Sequence, residues 1–337
     1  MAEPLLEVRD LKVHFPTDDG VVKAVDGVSF TVEPGETLGV VGESGSGKSV
    51  TFLTVLGLVS KKQAQIEGQI LFRGKDLLQT PADEMRNIRG AKISMIFQDP
   101  MTSLHPFYKV GDQIVEAIRA HQPLSKREAW DQSVEMLRRV GIPRPDERAG
   151  QYPHEFSGGM RQRAMIAMAL SLNPDLLIAD EPTTALDVTV QAQILDLISR
   201  LKDEFDAAVV IITHDLGVVA EHADDVQVMY AGKIAESGVR NDIYYRAHHP
   251  YTWGLLQSIT RLDLPKVERL RPIKGLPPSL IFVPPGCPFH PRCPYVMEVC
   301  KVEVPQLLSE DGKHAAACHL PLAEKERIFQ EEVAVRA

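Results

Sequence analysis

Short apolar runs and amphipathic stretches follow one another over residues 1–240 of the chain. Three runs, at residues 91–97, 176–179 and 207–213, have the length and apolar character of buried strands. Strands of this kind alternate with helices in α/β folds, where helices cover a mainly parallel sheet. We therefore predict such a sheet, with the chemistry of the protein beyond the carboxyl ends of its strands.

Helix signals separate the first two of these runs. The sequence Ser-Lys-Arg-Glu from Ser125 is a capping box, and the apolar positions after it recur at helical spacing. This pattern predicts a helix over about residues 126–140. A second helix is expected after Ser157-Gly158-Gly159, over residues 160–170. We expect these helices to lie in a helical subdomain of about residues 99–168.

The composition indicates which kinds of partner the protein has. The chain is 44% apolar and 25% charged, as in an ordinary globular protein. Its net charge of −9 argues against a nucleic-acid partner, which favours a basic face. The N-terminal segment is acidic and lacks the apolar region of a secretory signal, and no apolar run approaches the roughly 18–20 residues that a membrane span requires. We expect the protein to reach a membrane only through partner subunits.

A glycine-rich stretch follows the apolar run at residues 37–41 and precedes an apolar helical segment. It reads Gly42-Glu43-Ser44-Gly45-Ser46-Gly47-Lys48-Ser49, which fits the P-loop pattern Gly-x-x-x-x-Gly-Lys-Ser. We expect its backbone N–H groups, and those of the helix that continues through Val50, to face the phosphates of ATP. Lys48 is expected to reach the β- and γ-phosphates and Ser49 to hold Mg²⁺. A glycine-rich surface turn is the alternative interpretation.

Two adjacent carboxylates, Asp180 and Glu181, follow the apolar run at residues 176–179. Buried charge is costly unless a metal ion or a partner compensates it. Because the same chain contains a P-loop, we expect Mg²⁺ and ATP to do so. Asp180 suits the Mg²⁺ shell, and Glu181 is placed to polarise the attacking water as a general base. A solvated strand end is the alternative.

Further motifs resemble those of ATP-binding cassette (ABC) proteins. The segment Phe156-Ser157-Gly158-Gly159-Met160 resembles the Leu-Ser-Gly-Gly-Gln signature, from which Phe156 and Met160 depart. Gln98 stands at the position of the Q-loop glutamine, Ala185-Leu186-Asp187 matches the D-loop, and His214 matches the switch histidine. These motifs occur in the order in which the family has them. The resemblance implies a P-loop NTPase fold, that of an ABC ATPase domain, over residues 1–240.

The resemblance also implies roles for these residues. Glu181, His214 and Gln98 would be catalytic, and the last two would sense the γ-phosphate. Gln98 would join Ser49 and Asp180 around Mg²⁺ and lie near the groove where a permease docks. The segment at residues 99–108 would form the coupling surface for that permease.

Several nucleotide contacts would come from two subunits. Ser157, Gly158, Gly159 and Asp187 would contact the nucleotide held by the P-loop of a second ATPase subunit, so that ATP joins a head-to-tail dimer. An aromatic residue upstream of the P-loop usually stacks on adenine in this family. Phe15 is the candidate here, with an ordinary core phenylalanine as the alternative.

The character of the sequence changes at about residue 241. Two proline pairs, Pro277-Pro278 and Pro284-Pro285, predict a rigid, non-helical linker. The segments at residues 248–256 and 286–294 resemble the C-terminal extension of dipeptide and oligopeptide permease ATPases, and the chain is most similar in character to their D-type subunits. We expect residues 241–337 to form a small, irregular domain that contains cysteine.

All four cysteines of the chain, Cys287, Cys293, Cys300 and Cys318, lie in this extension. Without an export signal, a reducing cytosol disfavours disulfides, so metal ligation is the leading interpretation. The close cysteine pairs of structural zinc sites are missing from the spacing, which favours a [4Fe–4S] cluster, as some members of the family carry. Zn²⁺ and four unligated thiols are the alternatives, and His290 or His319 could substitute for a ligand.

The resemblance implies an ATP-hydrolysing subunit that powers import of di- or oligopeptides from the cytoplasmic side of the cell membrane. Its partners would be a second ATPase subunit, expected to be a paralogue, two transmembrane permease subunits and an extracytoplasmic peptide-binding protein. Related importers carry nickel, haem or sugars, so these substrates stay open. A soluble ABC ATPase that acts on ribosomes or DNA is a second interpretation, and a regulatory module without turnover is a third.

Overall fold

The computed structural model of the chain describes residues 3–99, 103–184, 186–258, 273–309, 312 and 314–334. The chain divides into two compact units. The first unit contains residues 1–5, 32–37 and 79–212, and the second contains residues 6–31, 38–78 and 213–337. Part of the predicted coupling segment, residues 100–102, and Ala185 of the D-loop lie outside the described residues. The domain boundary expected near residue 240 stays a prediction.

Helices and strands alternate through most of the described chain. The strands are β1 Leu6–Thr17, β2 Gly20–Val32, β3 Thr37–Val41, β4 Gln65–Phe72, β5 Lys75–Asp76, β6 Ile93–Ile96, β7 Leu176–Asp180, β8 Ala208–Thr213, β9 Asp225–Tyr230, β10 Lys233–Val239, β11 Leu308–Ser309 and β12 Ala315–Ala316. The α-helices are α1 Lys48–Val55, α2 Ala82–Ile88, α3 Val110–His121, α4 Lys126–Arg139, α5 Pro145–Arg148, α6 Gly158–Leu170, α7 Val188–Phe205, α8 Leu216–His222, α9 Arg240–Tyr245, α10 Pro250–Ser258 and α11 Leu322–Ile328. A π-helical turn, Phe329–Val333, follows α11.

The first unit contains the three strands that the apolar runs predict. β6 pairs with β7 and β7 pairs with β8, both in parallel. Every residue of β6 and β7 is buried, because helices cover both faces of such a sheet. The parallel sheet predicted for this part of the chain is confirmed, and it places the carboxyl ends of β6 and β7 side by side.

Helices α3, α4 and α6 pack together within the first unit. The predicted capping box is present at the start of α4. The Ser125 hydroxyl accepts a hydrogen bond from the Glu128 backbone N–H, and the Glu128 carboxylate accepts one from the Ser125 backbone N–H. This reciprocal pair satisfies two donors that a helix N-terminus leaves open. The helix predicted over residues 126–140 is therefore confirmed.

The second unit contains an antiparallel sheet that the sequence patterns did not predict, with strand order β2-β1-β4-β5. The register of β1 against β4 shifts between Arg9 and Lys12. Asp10 has a positive φ of 43° there, and a Cβ on the facing Gly68 would lie 2.5 Å from the Asp10 carbonyl oxygen. The bulge shifts the alternation of buried residues by one position, which hides the strand from a period-two search.

A second group of strands in this unit begins with β3, which pairs in parallel with β9. β9 pairs antiparallel with β10, which pairs with β12 of the C-terminal extension (residues 241–337). The extension packs on these strands through the buried Tyr251, Trp253, Phe289 and Phe329. Residues 273–285 contain no helix, as the proline pairs predict.

A buried carboxylate organises the start of α10. Glu236 is fully buried, and its carboxylate accepts hydrogen bonds from the backbone N–H groups of His248 and His249 and pairs with His314 Nε2 at 2.7 Å. His249 Nδ1 accepts a hydrogen bond from the Tyr251 backbone N–H at 3.0 Å. Burial lowers the pKa of His249 to about 4. Protonation at Nδ1 would remove this acceptor, so the folded chain holds His249 neutral.

We expect this histidine to make the fold less stable as the pH falls. The pKa of a histidine in water is 6.5, and that of His249 in the fold is about 4, so between pH 4 and 6.5 the unfolded chain binds more protons than the folded chain. Lowering the pH from about 7.5 to about 5 should therefore reduce the free energy of unfolding by about 2 kcal/mol through this residue. Urea titrations can follow Trp253 fluorescence in a Trp130→Phe background, since these are the two tryptophans of the chain.

The variant His249→Asn keeps a side-chain oxygen that can accept from the backbone and removes the titration. It should show a smaller loss of stability over this pH range than the parent chain. His154→Asn, at an exposed position of the first unit, is the matched control and should behave as the parent does. Equal pH dependence in His249→Asn and in the parent would contradict the assignment.

Candidate functional site

The P-loop (residues 42–49) connects β3 to α1 through a turn that only glycine permits at two positions. Gly42 has φ of 155°, and a Cβ there would lie 2.2 Å from the Met229 carbonyl oxygen. Gly47 has φ of 101°, and a Cβ there would lie 2.2 Å from the Ala24 carbonyl oxygen. Neighbouring backbone therefore fixes the two glycines of the Gly-x-x-x-x-Gly-Lys-Ser pattern.

Polar groups of this turn fit an anion. Helix α1 begins after Gly47, and no side chain caps its N-terminus with a hydrogen bond. The Ser46 hydroxyl is buried and has no hydrogen-bond partner among the described residues. An uncapped helix N-terminus and a buried, unpartnered hydroxyl are features that a phosphate group satisfies. The residues of the P-loop therefore fit the triphosphate of ATP.

Lys48 lies at the same turn with its side chain folded over the loop. It is 5% exposed, and its ammonium group donates to the carbonyl oxygens of Gly42 at 2.6 Å and Glu43 at 3.0 Å. Ser49 and Val50 follow it, half-buried, on the first turn of α1. The positive charge of Lys48 and the first turn of α1 thus lie at one end of β3.

Two residues of the C-terminal extension contact the P-loop, and sequence analysis did not predict them. The Tyr251 hydroxyl accepts a hydrogen bond from the Glu43 backbone N–H at 2.8 Å. The Arg292 guanidinium donates to both carboxylate oxygens of Glu43, at 2.6 and 3.0 Å. Arg292 lies in a segment that resembles the permease ATPases, but no spacing rule connects it to a loop so distant in sequence.

In the first unit, the parallel pairing of β6 with β7 brings two predicted catalytic residues together. Gln98, just after β6, donates through Nε2 to Glu181 Oε2 at 2.9 Å. Thr184 Oγ1 donates to the same oxygen at 2.9 Å. Asp180 ends β7 and is 6% exposed. The carboxylate of Glu181 is therefore oriented by two neutral donors, and Asp180 lies one residue before it.

Glu181 has a backbone conformation that is unfavourable for a side chain with a Cβ. Its φ is 45°, in the left-handed region, which costs on the order of 1–3 kcal/mol for a non-glycine residue. The Glu181 backbone N–H donates to the Ile212 carbonyl oxygen at 2.8 Å, which helps to hold this conformation. Strain of this kind concentrates at functional sites because the surrounding structure maintains it.

The signature segment begins helix α6. Ser157 is the N-cap residue, and its hydroxyl accepts a hydrogen bond from the Met160 backbone N–H at 3.3 Å. Ser157 and Gly158 are exposed, whereas Phe156 is buried. The departure from leucine at Phe156 therefore falls in the core, and the Ser-Gly-Gly part lies on the surface.

The D-loop residues lie beside the signature. A Cβ on Gly158 would lie 3.8 Å from Leu186 Cδ2, and one on Gly159 would lie 3.1 Å from Val190 Cγ1. Asp187 is the N-cap of α7 and accepts a hydrogen bond from the Val190 backbone N–H at 3.0 Å. Two helices of the first unit therefore begin next to each other at these motifs.

His214 and Phe15 belong to the second unit. His214 is exposed and precedes Asp215, which caps α8 by accepting from the Gly217 backbone N–H at 2.7 Å. Phe15 is half-buried in β1, which suits either stacking on a base or packing in the core. The roles of both residues stay predictions.

The four cysteines are free thiols that gather at one core of the extension. The Cys287 backbone N–H donates to the Cys300 carbonyl oxygen at 2.8 Å. Burial, with smaller contributions from the other cysteines, raises the pKa of Cys287 to about 11 and of Cys293 to about 12, and burial also raises the pKa of Cys318. Within the described residues, no group of three or more histidine, cysteine or acidic side chains has an arrangement that could hold a metal ion. The predicted [4Fe–4S] cluster is thus not supported by this geometry.

None of the helices in the described ranges combines the length and the apolar character needed to cross a membrane.

Comparisons with known proteins agree with the motifs. A family model described as "ABC transporter" matches residues 25–184, and one described as "Oligopeptide/dipeptide transporter, C-terminal region" matches residues 235–300. The dipeptide transport ATP-binding protein DppD of Bacillus subtilis is 56% identical over 319 residues, which are 94% of this chain and 95% of that protein. The oligopeptide transport ATP-binding protein OppD of Salmonella typhimurium is 52% identical and covers 96% of each chain.

Solved structures show the same fold. The dimeric structure of a post-hydrolysis state of an ATP-binding cassette, bound to ADP and Pi, matches with a TM-score of 0.63 and 25% sequence identity. The match covers 70% of this chain and 98% of that one. Together with the relatives above, these matches show that the chain belongs to the ATP-binding proteins of ABC transporters, in the branch that carries the oligopeptide/dipeptide transporter C-terminal region.

Proposed function

We propose that the chain binds and hydrolyses ATP to power the import of di- and oligopeptides by an ABC transporter. The observation that carries this proposal is the P-loop, whose uncapped helix N-terminus, buried Ser46 hydroxyl and inward-folded Lys48 together fit a triphosphate. The peptide substrate is supported by the names of relatives that are 52% and 56% identical to this chain.

Hydrolysis transfers the γ-phosphoryl group to water, and the protein contributes by positioning and by stabilising charge. Lys48 and the N–H groups of the P-loop stabilise the negative charge that spreads over the phosphoryl oxygens. Glu181 accepts a proton from the attacking water, and Gln98 with Thr184 orients its carboxylate. Ser49, Asp180 and Gln98 would hold Mg²⁺, which when bound neutralises charge on the β- and γ-phosphates.

We propose that a second ATPase subunit, a paralogue, completes each site. Ser157, Gly158 and Gly159 lie at the exposed start of α6, beside Asp187, where a nucleotide held by a facing subunit can reach them. Helix N-termini favour anions, so this surface suits the γ-phosphate. His214 and Gln98 would sense that phosphate, and Phe15 would stack on the adenine.

The other proposed partners lie in and beyond the membrane. Two transmembrane permease subunits would hold the chain at the cytoplasmic face, and an extracytoplasmic protein would deliver the peptide. The described part of the coupling segment, residues 103–108, exposes Phe107 at 81% and Tyr108 at 60%. Exposed aromatic side chains are frequent where one protein docks on another. We propose no nucleic-acid partner.

ATP hydrolysis by the assembled transporter tests the substrate. We expect the binding protein loaded with a di- or oligopeptide to stimulate turnover, and the same protein offered nickel, haem or a sugar to leave it at the basal rate. Stimulation by one of these other solutes, and not by peptides, would contradict the peptide assignment. Co-isolation with ribosomes, and not with permease subunits, would contradict the transport function itself.

We also propose that the four cysteines hold a metal centre, a [4Fe–4S] cluster, with Zn²⁺ as the alternative. What supports it is the chemistry of the donor set, four thiols that gather at one core, although the described side chains are not arranged around a metal ion. Protein purified without oxygen should contain iron and acid-labile sulfide and absorb broadly in the visible range. Cys300→Ser should lower the iron content. Stoichiometric zinc in colourless protein would favour the Zn²⁺ alternative. If the protein contains neither iron nor zinc, the proposal of a metal centre is wrong and the cysteines are structural thiols.

A further inference from the structure

We propose that Arg292 is a positioning residue for the P-loop, and that its ion pair with Glu43 sets the affinity of the chain for ATP. The proposal rests on the ATP site proposed above. It assigns to the C-terminal extension a direct influence on nucleotide binding in the cassette of the same chain. Three residues, Arg292, Glu43 and Tyr251, make the contacts that connect the extension to the P-loop.

The pair between Arg292 and Glu43 is bidentate and mostly buried. Nη1 of Arg292 lies 2.6 Å from Glu43 Oε2, and Nη2 lies 3.0 Å from Oε1. The side chain of Arg292 is 5% exposed and that of Glu43 is 29% exposed. Parallel hydrogen bonds between a guanidinium and a carboxylate fix both position and orientation. Removal of either partner would leave the other charge poorly solvated, so the pair strongly favours this one arrangement of the loop.

Lys274 of the extension and Tyr230 of strand β9 accept further hydrogen bonds from Arg292. Its Nε donates to the Lys274 carbonyl oxygen at 3.1 Å, and Nη1 also contacts the Tyr230 hydroxyl at 3.3 Å. The guanidinium carbon lies 5.8 Å from the ring centroid of Tyr230 and 5.9 Å from that of Phe289. Contacts with the extension and with β9 therefore hold the arginine in place, and through it the position of the extension can affect Glu43.

Glu43 in turn contacts the proposed phosphate-binding lysine. Its carboxylate binds Arg292, its backbone N–H donates to the Tyr251 hydroxyl at 2.8 Å, and its carbonyl oxygen accepts from Lys48 Nζ at 3.0 Å. One loop residue thus connects the extension to Lys48. Movement of Arg292 or Tyr251 would shift Glu43 and, with it, the loop carbonyls and N–H groups that surround the phosphates.

A double-mutant cycle on the full-length chain tests the pair. We expect Glu43→Gln and Arg292→Gln each to raise the Kd for a fluorescent ATP analogue about tenfold, and the double variant to raise it little further, because the two changes remove the same interaction. Arg292→Lys keeps the charge without the bidentate geometry, so its Kd should lie between that of the parent chain and that of Arg292→Gln. In the assembled transporter, the KM for ATP should rise while kcat changes less than about twofold, which a general loss of stability would not produce.

Three controls separate the possible outcomes. Arg327→Gln removes an exposed ion pair with Glu331 elsewhere in the extension and should leave the Kd unchanged. Metal content, measured in each variant, should not differ between Arg292→Gln and the parent. Lys48→Ala tests the ATP site itself. If Lys48→Ala loses ATP binding and the Arg292 variants bind as the parent does, the role of Arg292 is contradicted while the proposed ATP site stands. Additive effects of Glu43→Gln and Arg292→Gln on the Kd also contradict the role of Arg292.

Discussion

Replacement of Glu181 by glutamine should reduce the rate of ATP hydrolysis by roughly 10²- to 10⁴-fold and leave nucleotide affinity close to that of the parent chain. The amide has the shape of the carboxylate and can still accept from Gln98 and Thr184, which now donate to Glu181 Oε2. It cannot accept the proton of the attacking water. Single-turnover hydrolysis in the assembled transporter and equilibrium binding of ATP measure the two quantities separately.

The same variant should accumulate the ATP-bound, closed dimer, because binding is retained while the step that removes the γ-phosphate is slowed. Glu204→Gln is the matched control, since Glu204 is a surface carboxylate of the same unit that pairs with Arg139. It should hydrolyse ATP at the parent rate. Turnover at the parent rate in Glu181→Gln would remove Glu181 from the role of general base.

Replacement of Lys48 by alanine should weaken ATP binding and lower turnover by about 10²- to 10³-fold, the range found when one donor to developing charge is removed. The ammonium group lies over the P-loop and is 5% exposed, so its charge acts where little water screens it. Fluorescent-nucleotide titration measures the affinity, and phosphate release measures the turnover.

Two further variants show whether the effect of Lys48→Ala comes from the lost charge or from a loss of folding. Lys48→Arg keeps a positive charge with a larger head group and should recover binding only in part. Lys62→Ala, at an exposed lysine of the same unit, should leave both quantities unchanged. Parent-level affinity and turnover in Lys48→Ala would contradict the assignment of residues 42–49 as the phosphate site.

The sequence predicts those parts of the fold in which a local rule decides the structure. Gly42 and Gly47 stand where neighbouring backbone excludes any Cβ, so their spacing alone identifies the P-loop. The first four residues of β7, 176–179, form one uninterrupted apolar run in a strand whose residues are all buried. Helix α4 is predicted by a capping box that is present in the structure. The capping box of α4 lies within a few residues, and burial determines the run in β7. The backbone that excludes a Cβ at Gly42 and Gly47 is distant in sequence, at Met229 and Ala24, but the pattern of the loop itself is short and local.

Other features of the structure are not predicted from the sequence because they depend on contacts between parts of the chain that are distant in sequence. The sheet of β1, β2, β4 and β5 is hidden by the bulge at Asp10, which breaks the alternation of buried residues. The hydrogen bond between Gln98 and Glu181 follows from the register of β6 against β7, which the sequence does not specify. The pair between Glu43 and Arg292 depends on how the extension packs, and neither residue carries a local signal for the other.

The spacing of the cysteines does not determine whether they bind a metal. Counting and spacing cysteines establishes that four thiols are available, but a ligand set also requires their side chains to converge with suitable geometry. The thiols gather at one core, and yet no metal-holding arrangement is found among the described residues. Chemical analysis for iron, sulfide and zinc decides the matter more directly than spacing does.

The most direct measurement of the proposed function is uptake of labelled di- and oligopeptides into vesicles that contain the assembled transporter, with this chain and ATP on the same side of the membrane. We predict uptake that requires ATP and the peptide-binding protein and that stops when Glu181→Gln replaces the parent chain and its partner ATPase is made inactive in the same way. Uptake at the same rate without ATP, or with both ATPase subunits inactive, would contradict the account.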